Sequence, residues 1–154
     1  MVQLLGKSLR IAVIPMITET NMLGFNQSLH KITRYVNQVG FAGGISHGRQ
    51  FSFLEQAYSR RPDCILIIGS DPFSTLPYSL MSNLQGVNII CLDHSPTLTT
   101  EVASVVIPTA VPGVESGGNV VRLDGDSIAL AQPIKNGYPT EEEILRQLLE
   151  KVQP

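Results

Sequence analysis

The sequence predicts an α/β protein with three layers, in which helices cover both faces of a parallel sheet, followed by a C-terminal β-hairpin and helix. Asp63 to Ile68 and Val87 to Leu92 are largely apolar, β-rich runs, as expected of strands that are buried on both faces of a parallel sheet. Segments with helical spacing alternate with these runs, as they do in βαβ units. The length of 154 residues fits one domain, so residues 1–154 are interpreted as a single α/β unit.

The first half of the chain contains four further predicted elements. The β-rich run from Arg10 to Pro15 predicts a first strand, which its proline ends. Apolar residues recur at helical spacing from Asn26 to Val39, which predicts a helix. Gly40 to Gly48 contains four glycines and predicts a short strand around Phe41 that opens into a flexible loop. Phe51 to Arg60 predicts an amphipathic helix with a basic C-terminal end.

Three short elements surround the second buried strand. Tyr78 to Leu84 predicts a helix before it, because a proline precedes the first turn. Glu101 to Ala103 predicts a single helical turn after it, with Thr99 or Thr100 as the N-cap. Val105 to Ile107 predicts a further short strand.

The C-terminal part of the chain predicts a hairpin and a helix. Asn119 to Leu123 and Ser127 to Ala131 flank an Asp-Gly pair, which is typical of a tight β-hairpin turn. Thr140 and Glu143 have the spacing of a capping box, and the apolar residues that follow recur at helical spacing. The glutamates from Glu141 to Glu143 suit the positive end of the helix dipole and are not interpreted as a catalytic carboxylate pair.

Composition and charge exclude several classes of function. The net charge is −2 and no basic tract is present, so nucleic acid is not an expected partner. No apolar run approaches the roughly 20 residues that span a bilayer, and the N-terminus lacks a signal-peptide cleavage site, so we expect a cytoplasmic protein without a membrane partner. Charged residues make up only 16% of the chain, which favours a surface partly covered by another domain or subunit. A large buried sheet accounts for this value equally well.

The sequence contains no recognisable metal or catalytic motif. Cys64 and Cys91 fall in the predicted strands without the Cys/His spacing of a zinc site, and they are interpreted as small apolar core residues. A dinucleotide-binding GxGxxG, a P-loop and a GxSxG elbow are all missing. No catalytic residue and no metal ligand is therefore assigned.

Polar loops follow both buried strands and form the candidate binding site. Gly69, Ser70, Asp71 and Pro72 follow the first strand. Because the carboxyl ends of neighbouring parallel strands meet at one edge of the sheet, the two loops are expected to form half of a binding crevice. Gly69 permits close approach of a ligand, and the Asp71 carboxylate suits N–H donors such as a guanine edge, or a ribose hydroxyl. The alternative is an ordinary turn, with Asp71 in an Asx turn before Pro72.

The loop after the second strand contains Asp93, His94, Thr97 and Thr100. Hydroxyls and loop N–H groups near a helix start can bind phosphate oxygens, which favours a phosphate-bearing ligand. His94 could alternatively be a general base, but the sequence indicates no nucleophile as its partner. Plain helix capping is a further alternative for the threonines.

Two more candidates, His47 and Arg49, lie in or beside the glycine-rich loop. Both could contact anionic groups of a ligand or of a neighbouring domain. A solvated loop explains them equally well.

Several segments resemble the B subunit of formylmethanofuran dehydrogenase, within the molybdopterin oxidoreductase superfamily. The segments occur in the expected order over most of the chain. They are NMLGFNQ at Asn21–Gln27, the Gly43–Gly48 loop, ILIIGSDP at Ile65–Pro72, LDHSPTLTTEVASVVIP at Leu92–Pro108 and GVESGGNVVRLDG at Gly113–Gly125.

The resemblance implies that the chain is the C-terminal cofactor-binding domain of such a subunit. In that family the loops after the strands hold a molybdopterin guanine dinucleotide that carries molybdenum or tungsten. The Gly69–Asp71 and Asp93–Thr100 loops would then hold the nucleotide portion. Asn26, Gln27 and the His47–Arg49 loop would lie toward the cofactor or the adjoining domain.

The enzyme implied by the resemblance is an oxidoreductase of methanogenesis and one-carbon metabolism that works with sister subunits. It interconverts CO2 and formylmethanofuran. The family's B subunit is longer than this chain, and its metal-ligating cysteine precedes the region matched here, so the chain alone is expected to be non-catalytic. The alternative is a metal-free scaffold subunit of a formyltransferase/hydrolase complex, which keeps the fold without redox chemistry.

Overall fold

The computed structural model describes residues 21–60, 62–135 and 137–152, and the predicted strand from Arg10 to Pro15 lies outside them. Along the described residues the helices and strands are α1 (Met22–Thr33), β1 (Val39–Gly40), β2 (Ser46–His47), α2 (Phe53–Glu55), β3 (Cys64–Ile68), α3 (Tyr78–Asn83), β4 (Asn88–Asp93), α4 (Leu98–Val102), β5 (Val105–Pro108), β6 (Gly118–Val121), β7 (Ser127–Leu130) and α5 (Glu141–Val152). The predicted class is confirmed, since a parallel sheet with flanking helices is followed by an antiparallel strand pair and a C-terminal helix.

The parallel sheet has the strand order β3-β4-β5. Helix α3 connects β3 to β4, and α4 connects β4 to β5, as crossovers between parallel strands require. Backbone hydrogen bonds extend the sheet past the strand ends, because Gly69 N donates to Leu92 O at 2.8 Å and Thr109 N donates to Asp93 O at 3.1 Å. The loops after β3 and β4 therefore leave the sheet at the same edge.

One face of this sheet carries the main apolar core. The strand residues Ile65, Ile67, Ile89 and Cys91 are buried there against the connecting helices, together with Ala57, Phe73, Leu84 and Val87. On the opposite face Leu66 and Val105 are 48% and 49% exposed. Along β3 the two faces are thus unequally covered, whereas Leu92 at the carboxyl end of the second face is fully buried.

The prediction of a helix from Asn26 to Val39 was wrong at both ends. Helix α1 begins at Met22 and ends at Thr33, because Arg34 turns into the left-handed conformation with φ 70°. The Thr33 hydroxyl donates to the Leu29 carbonyl at 2.8 Å and accepts the Tyr35 N–H at 3.1 Å, which stabilises this helix end. Val39 therefore joins β1, which pairs with β2 in a small hairpin across the glycine-rich segment.

The predicted helix from Phe51 to Arg60 is not one regular helix. A 3₁₀ turn at Arg49–Phe51 is followed by α2 and by a π-helical segment at Gln56–Arg60. Ser52 interrupts the first turn with extended backbone and accepts the Glu55 N–H at 3.1 Å as an N-cap. The capping serine therefore divides a segment that apolar spacing alone predicts as one helix.

The C-terminal hairpin and helix follow the prediction closely. Strands β6 and β7 pair antiparallel, and Gly125 of the Asp-Gly turn has φ 97°. At the start of α5, Glu143 N donates to Thr140 Oγ1 at 3.2 Å and Thr140 N donates to Glu143 Oε2 at 2.7 Å, which is the predicted capping box. Across the ranges that the structure describes, none of the helices has the length and apolar character needed to span a bilayer.

Candidate functional site

A cleft of about 340 Å³ opens at the carboxyl edge of the parallel sheet. Its walls come from separate parts of the chain: the end of β3 with Gly69, the loop after β4 with His94, the start of the C-terminal hairpin, and the first turn of α5 with Glu141. The two loops that the sequence singled out are thus neighbours at this edge. Helix α5 and the hairpin complete the cleft, which sequence spacing did not indicate.

The base of the cleft depends on Gly69. This residue has φ 55°, a left-handed conformation that glycine adopts without steric cost. A Cβ atom at this position would lie 3.0 Å from Glu141 Oε1. The Glu141 carboxylate therefore packs directly against the backbone that leaves β3.

Glu141 is one of the cleft residues that the sequence interpretation missed. Of the three glutamates at the start of α5, Glu143 forms the capping box and Glu142 pairs with Arg146 at 2.7 Å. Glu141 makes no hydrogen bond to any described side chain. Burial raises its pKa, with a further rise from the neighbouring Asp93 and an opposing effect from His94. A helix-start position explains its residue type, so no pattern in the sequence distinguishes it from its neighbours.

Asp71 is engaged by the loop after β4. Its Oδ1 accepts the Thr99 N–H at 2.9 Å and the Thr99 hydroxyl at 2.6 Å, and that hydroxyl in turn accepts the Phe73 N–H at 3.2 Å. The suggested Asx turn is not formed, because the Phe73 N–H goes to Thr99 instead. Burial acts to raise the pKa of Asp71, but hydrogen bonds from Thr99, Ser74 and Leu98 outweigh it and lower the pKa.

Asp93 and His94 lie at the end of β4. Asp93 is buried, and its Oδ1 accepts the Ser95 N–H at 3.0 Å and the Ser95 hydroxyl at 3.2 Å. His94 Nδ1 lies 3.6 Å from the same carboxylate oxygen. His94 lines the main cleft and also a second, shallower cleft of about 330 Å³ on the other side of the loop. Asp93 therefore orients the loop, while the imidazole is available to a ligand.

Thr97 and Thr100 form a capping box at the start of α4. Thr97 N donates to Thr100 Oγ1 at 2.7 Å, and Thr100 N donates to Thr97 Oγ1 at 3.2 Å. The prediction of Thr99 or Thr100 as the N-cap was wrong, because Thr97 occupies that position and Thr99 is fully buried within the helix that follows. Both capping hydroxyls are thus already used within the helix.

Among the predicted site residues, Gly69 and His94 line the main cleft and the others do not. Asn26 and Gln27 lie on α1. The His47 ring stacks on Tyr35 with centroids 4.3 Å apart, and Arg49 Nε lies 3.3 Å from Glu55 Oε2. Asn21, the residue before α1, lines the cleft instead. Its side-chain oxygen accepts the Val121 N–H at 2.9 Å.

Metal-ligating side chains are not grouped in the described part of the chain. No set of three or more His, Cys, Asp or Glu residues there is placed to hold a metal ion. Cys64 is exposed and Cys91 is fully buried, and both thiols are free. Burial raises the pKa of Cys91, as do the nearby Asp93 and Asp71 carboxylates.

Comparison with known sequences identifies two related proteins. The chain is 32% identical over 147 residues to the B subunit of tungsten-containing formylmethanofuran dehydrogenase 2 from Methanocaldococcus jannaschii, and 27% identical to the protein of the same name from Methanococcus maripaludis. Each alignment covers 93% of this chain and 34% of the relative, so the chain spans about a third of the length of these proteins. No protein-family model matches the chain.

Comparison with solved structures identifies a shared fold. With a TM-score of 0.69 and 19% identity, the chain superposes on part of the formyltransferase/hydrolase complex from Methylorubrum extorquens, whose crystal structure contains methylofuran. The similarity covers 97% of this chain and 43% of the other one. The overall fold of this chain is therefore shared with a protein of known structure.

Proposed function

We propose that this chain, which is similar over 93% of its length to B subunits of formylmethanofuran dehydrogenase, is part of such a subunit and binds part of a metal–pterin cofactor. The cleft at the carboxyl edge of the parallel sheet is the observation that carries this proposal. Ligands of open α/β sheets bind at this edge, between loops of neighbouring strands. The tungsten-containing relatives support a metal–pterin group as the ligand of the complete protein.

The size and chemistry of the cleft fit one portion of such a cofactor. A volume of about 340 Å³ lies at the lower end of the range of roughly 300–1,000 Å³ for ligand sites, which suits one ring system with its sugar and not a whole dinucleotide. Gly69 allows a ligand to approach the backbone, and His94 and Glu141 offer polar groups from the loop after β4 and from the first turn of α5. The proposed form of the cofactor is a pterin guanine dinucleotide, with its nucleotide portion in the cleft.

The loops after β3 and β4 supply the proposed contacts. Gly69 and His94 line the cleft and would contact the ligand, while Ser70, Asp71, Pro72 and Asp93 shape the two loops. Thr97 and Thr100 fix the start of α4, and Asn26, Gln27, His47 and Arg49, which lie away from this cleft, would contact the cofactor or an adjoining domain from outside it.

In the complete protein such a cofactor supplies a metal for redox chemistry. This chain contributes binding and orientation: no described side chain is assigned a proton transfer or a bond to the metal. The proposed reaction of the whole enzyme is the interconversion of CO2 and formylmethanofuran, carried out with sister subunits.

A second candidate function is a metal-free scaffold subunit of a formyltransferase/hydrolase complex. The shared fold with the Methylorubrum extorquens complex is the observation that favours it. In this alternative the cleft is retained and no pterin is bound.

The decisive measurement is pterin fluorescence after oxidative release, combined with elemental analysis for tungsten and molybdenum. Both are made on the protein purified natively with its partners. Pterin together with metal is the expected result. An intact complex that contains neither would contradict the proposal and favour the scaffold.

A further inference from the structure

We propose that Glu141, and not Asp71, is the carboxylate that recognises the N–H edge of the ligand in the main cleft, and that Asp71 is a positioning residue for the two loops. This inference rests on the proposed function and assigns the specificity of that site. It also reverses the expectation from the sequence, which assigned recognition of the ligand to Asp71.

The Oδ1 atom of Asp71 is committed to the protein, and Asp71 does not line the main cleft. Its Oδ1 accepts two hydrogen bonds from Thr99, a residue 28 positions further along the chain that is fully buried. If Asp71 turned toward a ligand, the N–H and hydroxyl of Thr99 would lose their acceptor inside the protein. Leaving such buried donors unsatisfied is costly, so the carboxylate is held in place. Asp71 therefore joins the loop after β3 to the loop after β4.

Glu141 differs from Asp71 in each of these respects. It lines the cleft, lies against Gly69, and has no hydrogen-bonding partner for its carboxylate among the described residues. The capping box of Thr140 and Glu143 fixes the helix turn that carries it. Burial of this carboxylate, which raises its pKa, is a cost that a ligand with N–H donors would offset.

The ligand chemistry follows from the shape of a carboxylate. Its two oxygens can accept two parallel hydrogen bonds from adjacent donors. A ring N–H beside an exocyclic amino group presents that pattern, and a 2-amino-4-oxopyrimidine ring carries it. Guanine and pterins share this ring, so the two halves of a pterin guanine dinucleotide are both chemically suitable.

The test compares Glu141→Gln with Asp71→Asn and Asp71→Ala in the natively purified protein after release of its bound cofactor. Equilibrium binding of GMP, IMP and neopterin is measured for each variant. IMP lacks the exocyclic amino group, so the ratio of GMP to IMP affinity reports recognition of that edge. A general loss of structure would weaken both nucleotides and leave their ratio unchanged.

We expect Glu141→Gln to weaken GMP binding about tenfold or more and to abolish the preference for GMP over IMP. The side-chain NH2 that replaces one carboxylate oxygen would face the N–H donors of the ligand. Asp71→Ala should weaken GMP and IMP alike, since it releases the loops. The Asp71→Asn variant should bind GMP and IMP with affinities within about threefold of those of the unsubstituted protein. Its amide oxygen Oδ1 can still accept both hydrogen bonds from Thr99.

The opposite assignment has a distinct outcome. If Asp71→Asn abolishes the preference for GMP while Glu141→Gln keeps it, Asp71 recognises the ligand and the inference is overturned. If neopterin binds and GMP does not, the edge belongs to the pterin half, and Glu141→Gln must then abolish neopterin binding. If the native complex contains pterin but none of the three probes binds, the proposed recognition role of Glu141 is contradicted and the proposed function is not. A complex without pterin contradicts the proposed function itself.

Discussion

Thr99 shows at the scale of one residue how the site is held together. It is fully buried, although a threonine in a polar loop is ordinarily interpreted as a surface or capping residue. Its hydroxyl donates to Asp71 and accepts from Phe73, so a single side chain satisfies groups on the loop after β3 while belonging to α4. The polar character of both loops was predictable, but this pairing depends on two strands being neighbours in space.

The two cysteines should differ sharply in reactivity. Cys64 is exposed, whereas Cys91 is fully buried and its pKa is raised by burial and by the carboxylates of Asp93 and Asp71. The thiolate is the reactive form of cysteine. We therefore expect Cys64 to react rapidly with a thiol reagent in the folded protein and Cys91 to react only after unfolding. Cys64→Ser is the matched control, since it should remove the fast phase. A fast phase that survives this substitution would contradict the burial of Cys91.

Stability should depend on the charge of Glu141. Its folded-state pKa is raised, so the folded state binds this proton more tightly than the unfolded state does. The resulting stabilisation is present at low pH and is lost as the pH rises through the raised pKa. We therefore expect Glu141→Gln to raise the melting temperature at pH 7 and to have little effect below about pH 4.

Glu142→Gln is the control for this pH dependence. Glu142 starts the same helix but is exposed and pairs with Arg146, so its replacement should not raise stability at pH 7. Equal effects of the two substitutions would indicate a general response of the helix start and not burial of Glu141.

At the scale of elements, α4 illustrates how a very short helix is fixed. It spans five residues, which is far too few to be stable alone. The Thr97–Thr100 capping box organises its first turn, and the hydrogen bonds from Thr99 to Asp71 attach it to the neighbouring loop. The sequence predicted a helical turn here because polar capping residues precede it. The choice of Thr97 as the cap depends on Thr99 being taken into the core.

The capping role of Thr97 can be measured directly. Thr97→Ala removes the acceptor for the Thr100 N–H and should lower the free energy of unfolding by about 1 kcal/mol. Thr97→Ser keeps the hydroxyl and should retain most of that stability. Urea denaturation of the two variants gives the comparison. If serine is as destabilising as alanine, the lost methyl group and not the cap is responsible.

At the scale of the whole molecule, the coverage of the surface is uneven. The low charge density of the sequence favoured a surface partly covered by another domain or subunit, and large apolar side chains are indeed exposed, including Phe25 at 63% and Ile32 at 72%. On the second face of the sheet, Leu66 and Val105 are also about half exposed. An interface on this surface stays a prediction, which co-purification of the native protein with partner subunits would test.

The inequality of the two sheet faces has a measurable consequence. Ile67 and Leu66 are adjacent on β3, but Ile67 is buried in the core and Leu66 is 48% exposed. We expect Ile67→Ala to lower the free energy of unfolding by about 3 kcal/mol, because it removes buried methyl groups and leaves a cavity. Leu66→Ala should cost less than about 1.5 kcal/mol. Similar losses in the complete protein would show that another part of it covers Leu66.

Local sequence patterns were sufficient to predict the two apolar strands, the polar loops after them, the C-terminal hairpin and the capped last helix, because each depends on residues close together in the chain. The true ends of α1 and the irregular segment after Gly48 were not predictable, since apolar spacing does not register a left-handed residue or an interrupting serine cap. Which of Asp71 and Glu141 lines the cleft depends instead on contacts between distant parts of the chain. Glu141 lies about 70 residues from Gly69 along the chain but against it in space, while Asp71, which follows Gly69 closely, is turned into the contact with Thr99.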